Sequence, residues 1–265
     1  MKDTPQPAIT LVCCGLVGTL VADDGLIERA FSEAIATQGV VAGTSAYARR
    51  MAQVHQARGQ SPADVLGTLF PDNEARAQAA LLAFQRAVAD AVRRTEFPPL
   101  PGIMAALQQL SAAGLQVCAM TSLPRPVADA VIAAAGLRRR LSLSLSAEEV
   151  SRGFPAPDLG LTALLRCAAG AVSELAVLHS TGAGVECGRR CGAGLVAGVL
   201  TGPHPAARLR GAGATHIVRS FADVPRLVLD PAHPEAPPGS PAGLRPAQLT
   251  VPLQAPARLR PPVSS

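Results

Sequence analysis

The sequence predicts an α/β protein: a doubly wound parallel sheet with a block of helices inserted after the first strand. Three observations carry this. Residues 8–14 form a short apolar run bounded by Pro7 and Gly15, the pattern of a strand buried on both faces of a parallel sheet. From Gly25 to Arg94 the apolar residues instead recur at three- and four-residue steps, as in Leu26, Ala30, Phe31 and Ala34, with no strand pattern among them. After Pro98, Pro99, Pro101 and Gly102 the strand and helix patterns alternate as far as Val218.

Taken in order, the first strand covers 8–14. The helical block continues through Ala80, Leu81, Phe84, Ala87 and Val88, which share one helical face. Beyond the proline cluster the pattern predicts a helix over 103–113, a strand over 115–121, a helix over 126–135 and a strand over 141–145. A helix over 159–169, a strand over 175–180 and a helix over 185–191 follow, then a strand over 194–200, a helix over 205–211 and a short strand over 216–218. The expected division is a core of residues 8–21 and 99–229 and a helical cap of residues 22–98. The cap is expected over the carboxyl ends of the strands, where open α/β sheets hold their sites. Residues 230–265 differ in kind. Prolines recur there among Ala, Gly and Arg without an apolar face, the composition of a disordered extension. Proline-rich segments dock on aromatic grooves, so a protein partner reached through this tail is one reading of it.

Composition narrows the function. The chain has 265 residues and a formal charge of +5, but its cations are scattered and it has one Tyr, no Trp and six Phe, too few rings to stack on bases, so nucleic acid is excluded as a partner. No run of about 18 apolar residues is free of Gly, Pro or charge, which excludes a membrane span. The amino terminus lacks the segments of a secretion signal, so a cytoplasmic protein is expected. Lys2 is the only lysine, and arginine cannot serve as an amine nucleophile. Cys13, Cys14 and Cys118 sit inside apolar runs and read as small hydrophobes. Cys187 and Cys191 fall on one helical face, but without a second Cys or His pair they read as helix packing rather than a zinc site. Asp23, Asp24 and Glu28 suit the first turn of a helix, where acids are favoured. The run Gly182-Ala183-Gly184-Val185-Glu186-Cys187-Gly188 has no acid about twenty residues on to bind a ribose. It follows a late strand, so it reads as a helix start rather than a dinucleotide loop.

Five fragments stand at the strand ends in a fixed order. They are Gly18-Thr19-Leu20-Val21, Leu100-Pro101-Gly102, Thr121, Pro155-Ala156-Pro157-Asp158 and Gly198-Val199-Leu200-Thr201-Gly202. Over residues 8–229 this set resembles the haloacid dehalogenase (HAD)-like hydrolases, and within them the phosphonatase-like branch related to phosphonoacetaldehyde hydrolase. The resemblance implies a Rossmann-like core with a helical cap, hydrolysis of a small phosphorylated or phosphonate metabolite, and Mg²⁺ as cofactor. It also implies an aspartate nucleophile at the end of the first strand, and that place holds Gly15. Val17, two residues on, fits the phosphonatase-like branch. Thr121 matches the hydroxyl of the second motif, with Ser122 after it. The place of the charge-compensating Lys or Arg holds Phe154; Arg152 is the nearest cation in sequence. The places of the metal-binding acids hold Ser180 and Gly184, and the branch's cap lysine has no counterpart, since Lys2 lies outside the cap.

The expectation is therefore a pseudoenzyme, with no intact catalytic residue and no metal ligand. Gly18, Thr19, Thr121 and Ser122 are expected to keep a pocket for a small phosphorylated or anionic ligand, because amides and hydroxyls at a loop-to-helix junction favour anions. The alternatives are an active hydrolase working through non-standard residues, with Arg152, Cys13 or Cys14 as substitutes, and a binding or scaffold protein acting through its tail. No residue pattern specifies an assembly.

Overall fold

The central strands are apolar on both faces, so each must be covered on both sides, and this sets the layers. In a computed structural model describing residues 9–94 and 97–229, six strands form one parallel sheet. They are β1 (Leu11–Gly15), β2 (Gln116–Thr121), β3 (Leu143–Ser146), β4 (Leu175–His179), β5 (Leu195–Val199) and β6 (His216–Val218), in the order β3-β2-β1-β4-β5-β6. Lys2 and the tail of residues 230–265, with the reading made of it, lie outside the described residues.

Val12 and Cys14 of β1, Val117 and Ala119 of β2, and Ala176 and Leu178 of β4 face one layer. That layer includes α5 (Ile103–Ala112), α6 (Arg125–Ala134) and α10 (Val224–Leu229). Leu11, Cys13, Cys118, Met120, Leu175 and Val177 face the other, which holds α7 (Asp158–Arg166) and α8 (Gly182–Cys191). α9 (Ala206–Gly211) closes a smaller cluster over β5 through Leu209 and Val196. Because β1 pairs with β2 on one side and β4 on the other, the winding reverses there. The crevice beyond the carboxyl ends of β1 and β4 is thus the place where such sheets hold their sites.

Four helices lie between β1 and β2: α1 (Leu26–Thr37), α2 (Ser45–Gln56), α3 (Pro62–Leu69) and α4 (Glu74–Arg94). Their starts are written locally. The hydroxyl of Thr44 accepts from the Tyr47 amide, and that of Ser61 from the Asp64 amide with Pro62 in the first turn. Asp23 Oδ1 accepts from the Ile27 amide at the start of α1, as its position predicts. The buried stripe of α1, Leu26, Ala30, Phe31, Ala34 and Ile35, packs on Ala80, Phe84, Ala87 and Val88 of α4, with the Phe31 and Phe84 ring centroids 4.7 Å apart. The chain enters and leaves this insertion at one place, since Val21 bridges to both Val17 and Pro99 and the Leu100 amide donates to Leu20 O at 2.9 Å. No helix among the described residues is long and apolar enough to cross a membrane.

The element reading differs from this in its boundaries. β1 runs one residue further, to Gly15. α8 begins at Gly182, three residues before the predicted start, because Thr181 caps it by accepting from the Gly184 amide at 3.3 Å. Gly188, inside the predicted helix, is there for close packing: a Cβ on it would lie 2.7 Å from Val177 Cβ. The short helix α10 was not predicted at all.

Phe84 has no exposed surface, and its ring is the main filling between α4 and α1. Phe84→Ala should lower stability by roughly 3–5 kcal/mol, measured as a shift of the urea midpoint with an unchanged slope.

Candidate functional site

Gly15 ends β1, and His179 ends β4 beside it. A Cβ built on Gly15 would meet His179 Nε2 at 2.9 Å and Thr19 Oγ1 at 2.7 Å. A Cβ built on Gly184, in the first turn of α8, would sit 2.1 Å from Cγ of the same imidazole. The ring thus fills the space into which side chains at both positions would project. Phe154 closes a further side, edge-on to the ring with centroids 5.0 Å apart and planes at 73°.

His179 is 5% exposed and has a fixed orientation. The Thr181 amide donates to Nδ1 at 3.1 Å, and Thr181 Oγ1 lies 3.0 Å from the same nitrogen. This places the imidazole hydrogen on Nε2. Burial, with a smaller effect of nearby His204, pushes the His179 pKa down to about 4, so the ring is neutral near pH 7. His204 is buried too. Its Nδ1 accepts from the Gly182 amide at 2.8 Å, and burial followed by the charges of Arg208 and Arg58 lowers its pKa to about 4.

Ser180 is fully buried in the turns that close the site. Thr19 Oγ1 donates to its hydroxyl at 3.1 Å, and Gly202 lies so near that a Cβ there would be 2.4 Å from Ser180 Cβ. Gly18, at φ 79°, takes a conformation that suits glycine; its amide donates to Val21 O at 2.7 Å, and its carbonyl accepts from Thr201 Oγ1 at 2.8 Å. The Thr19 amide donates to Leu16 O at 3.3 Å.

A cavity of about 80 Å³ lies between these strand ends and the helical insertion. Thr121, Ser122 and His179 line it from the sheet, and Asp23, Glu28 and Arg58 from the insertion, among mainly apolar neighbours. Arg58 Nη2 is 2.6 Å from Glu28 Oε2, and His55 Nε2 is 3.3 Å from Glu28 Oε1. The loop from α2 to α3 comes down on the first turn of α8, where a Cβ on Gly59 would be 2.5 Å from Thr181 Oγ1. Arg208 of α9 donates to Gln56 O at 3.2 Å from the other side.

The four residues expected to hold an anion are therefore divided. Thr121 and Ser122 reach the cavity, whereas Gly18 and Thr19 do not line it and their amides are engaged within the turn. Arg152 does not approach the Phe154 position: its guanidinium makes two hydrogen bonds to Asp158, 2.7 and 3.2 Å, on the surface. Cys13 and Cys14 are fully buried on opposite faces of β1, and burial raises both thiols well above their usual range, which keeps them protonated. Cys187 and Cys191 pack α8 on α7, where a Cβ on Gly160 would be 2.5 Å from Cys191 Sγ. His179 and Arg58 were not singled out from the sequence, and Glu28 only as an acid in the first turn of a helix, where it does stand. The one local signal was a histidine directly before Ser180, with glycine at both positions that would otherwise crowd it.

A doubly wound sheet with a helical insertion after β1, and a cavity where β1, β2 and β4 end, is the plan of a capped Rossmann-like hydrolase. The chain belongs to the haloacid dehalogenase-like hydrolases, whose family model matches residues 9–192. Similar solved structures include a hydrolase from Pseudomonas syringae, at 24% identity, TM-score 0.70, covering 81% of this chain and 95% of that one. A phosphonoacetaldehyde hydrolase-like protein from Oleispira antarctica is 20% identical, TM-score 0.69, over 84% and 92%. CbbY from Rhodobacter sphaeroides, solved in complex with phosphate, is 18% identical, TM-score 0.67, over 82% and 96%. At these identities the likeness is one of fold. No curated protein sequence matches the chain significantly.

Magnesium, the ion the family implies, takes near-octahedral oxygen ligands and usually one or two carboxylates. At the matching positions stand the Ser180 hydroxyl, already bonded to Thr19, and Gly184, while the space between is filled by an imidazole with its hydrogen on Nε2. No group of three His, Cys, Asp or Glu able to hold a metal occurs among the described residues. The residues present do not fit the ion.

Two predictions follow from the buried ring. Gly184→Ala should cost roughly 1–3 kcal/mol by overpacking against His179. In a His179→Ala background the clash is gone and the same change should stabilise by about 0.5–1 kcal/mol, as alanine does in a helix. Denaturant unfolding of the double-mutant cycle tests this, and a cost that persists without the imidazole would refute it. The second concerns pH. Both folded-state imidazoles titrate near 4 and an unfolded histidine near 6.5, so between these values the unfolded chain binds protons that the folded chain does not. Stability should be full above about pH 6.5 and fall as the pH drops toward 4, by on the order of 2–3 kcal/mol per imidazole, in urea titrations across that range.

Proposed function

We propose that this HAD-like protein does not carry out magnesium-dependent hydrolysis and acts instead by holding a small molecule in the cavity beneath a cap formed by residues 22–98. The observation that carries this reading is the His179 imidazole, wedged where side chains at positions 15 and 184 would project. Loss of a nucleophile leaves a hole that a water or another base can enter; here the hole is filled. The neighbouring departures agree with it. Phe154 gives the ring an apolar wall in the place of a cation, and Ser180 turns its hydroxyl to Thr19. A single missing electrostatic element costs roughly 3–4 kcal/mol of transition-state stabilisation, and here nucleophile, cation and metal acids are all replaced.

The cavity supports the binding half of the reading, since it opens beside His179, Thr121 and Ser122 and is roofed by α1 and the loop after α2. Purified full-length protein, assayed for phosphate release from a panel of phosphate monoesters and from phosphonoacetaldehyde, should show no turnover that depends on added Mg²⁺. Metal-dependent turnover on the order of 1 s⁻¹, the low end of ordinary enzymes, that is altered in His179→Ala protein purified in the same way would refute the proposal.

A further inference from the structure

The polar groups around the cavity select among ligands. His179 lines the cavity, its Nδ1 is engaged by Thr181, and its Nε2, which has no acceptor among the described residues, is not sealed off from the cavity space. A ligand that fills the cavity takes this donor away from water, so a ligand atom that accepts from it is favoured over one that cannot. Thr121 Oγ1 accepts from the Leu123 amide at 3.1 Å and so keeps its own hydrogen to donate. The charged groups are Asp23, Glu28 and Arg58, and Arg58 is already paired with Glu28 at 2.6 Å. A phosphate dianion entering here would meet two carboxylates, one paired guanidinium and an uncharged imidazole. The remaining walls, such as Leu16, Ile27, Phe31 and Met120, suit an apolar body, and the volume of about 80 Å³ holds roughly six water-sized groups.

We propose that the cavity takes a small uncharged molecule with an apolar body and a single carbonyl-type oxygen, which accepts the His179 Nε2 hydrogen. The proposal rests on the non-catalytic reading above and gives its cavity a ligand class. Phosphate, the ligand of a structural relative, is the wrong partner on this view.

The test uses three probes on the full-length protein labelled with ¹⁵N-histidine: cyclopentanone, methylenecyclopentane, which has nearly the same shape without the oxygen, and inorganic phosphate. Cyclopentanone at millimolar concentration should move the His179 Nε2–H resonance and saturate, and methylenecyclopentane should bind about tenfold more weakly, the loss of one hydrogen bond. Phosphate should leave the resonance where it is. In His179→Leu protein the two cyclic probes should bind equally. Should that variant fail to fold, the wild-type titration decides alone. Equal affinities for the two cyclic probes in wild-type protein, no response to the ketone, or a response to phosphate would each overturn the proposal. Magnesium-dependent phosphate release would overturn the non-catalytic reading without changing the ketone titration, whereas a silent titration without turnover overturns only the ligand class.

Discussion

The His179 imidazole packs between two glycines, and the rest of the site is arranged around that contact. Gly15 ends a strand and Gly184 opens a helix, and both backbones come close to the ring because neither carries a Cβ. Thr181 holds the ring by its Nδ1, and Phe154 meets its edge. Close-packed interiors transmit such constraints, since a few tenths of an ångström cannot be absorbed on one side alone. The departures at positions 15, 154 and 184 thus form one packing arrangement around His179. An aspartate placed at position 15 alone would be driven into the imidazole.

Much of the architecture was legible because its signals are local. Short continuous apolar runs, suited to burial on both faces, marked β1, β2 and β4, and the α1 and α4 stripes repeated at helical spacing. Where the signal is not local the reading fell short: the helix was expected to start at 185, although Gly184, ahead of that start, lies with Gly188 on the face of α8 laid against β4. The site divides in the same way. Counted positions gave the expectation that Gly15, Phe154, Ser180 and Gly184 stand where the resemblance implies acids and a cation. They said nothing of what fills the space, because His179 comes from a strand far along the chain. Nor did spacing show that the amides of Gly18 and Thr19 close a turn, or that Arg58 and Glu28, thirty positions apart, pair across the insertion.

The fold itself does not depend on the chemistry. One apolar cluster runs from Val12 and Leu178 in the sheet to Leu66 and Phe84 in the insertion, and none of its members is a motif position emptied of its expected group. This is why the family model and structures at 24% identity and below still match over most of the chain. Architecture and activity are held by different residues, and activity is argued from the second set alone.

The loop bearing Gly59 rests on the first turn of α8, and Arg208 bonds to Gln56 just before it. This seat adjoins the cavity, so occupancy and loop position are linked quantities. A molecule that fits only when the loop is lifted binds with its intrinsic affinity reduced by the free energy of unseating Gly59 and breaking the Arg208 bond. One that fits beneath the seated loop stabilises that seat by the same free energy through which the seat favours it. In the binding role proposed above, the strength of a surface contact between an arginine and a backbone carbonyl would therefore set part of the selectivity of a chamber that neither group lines.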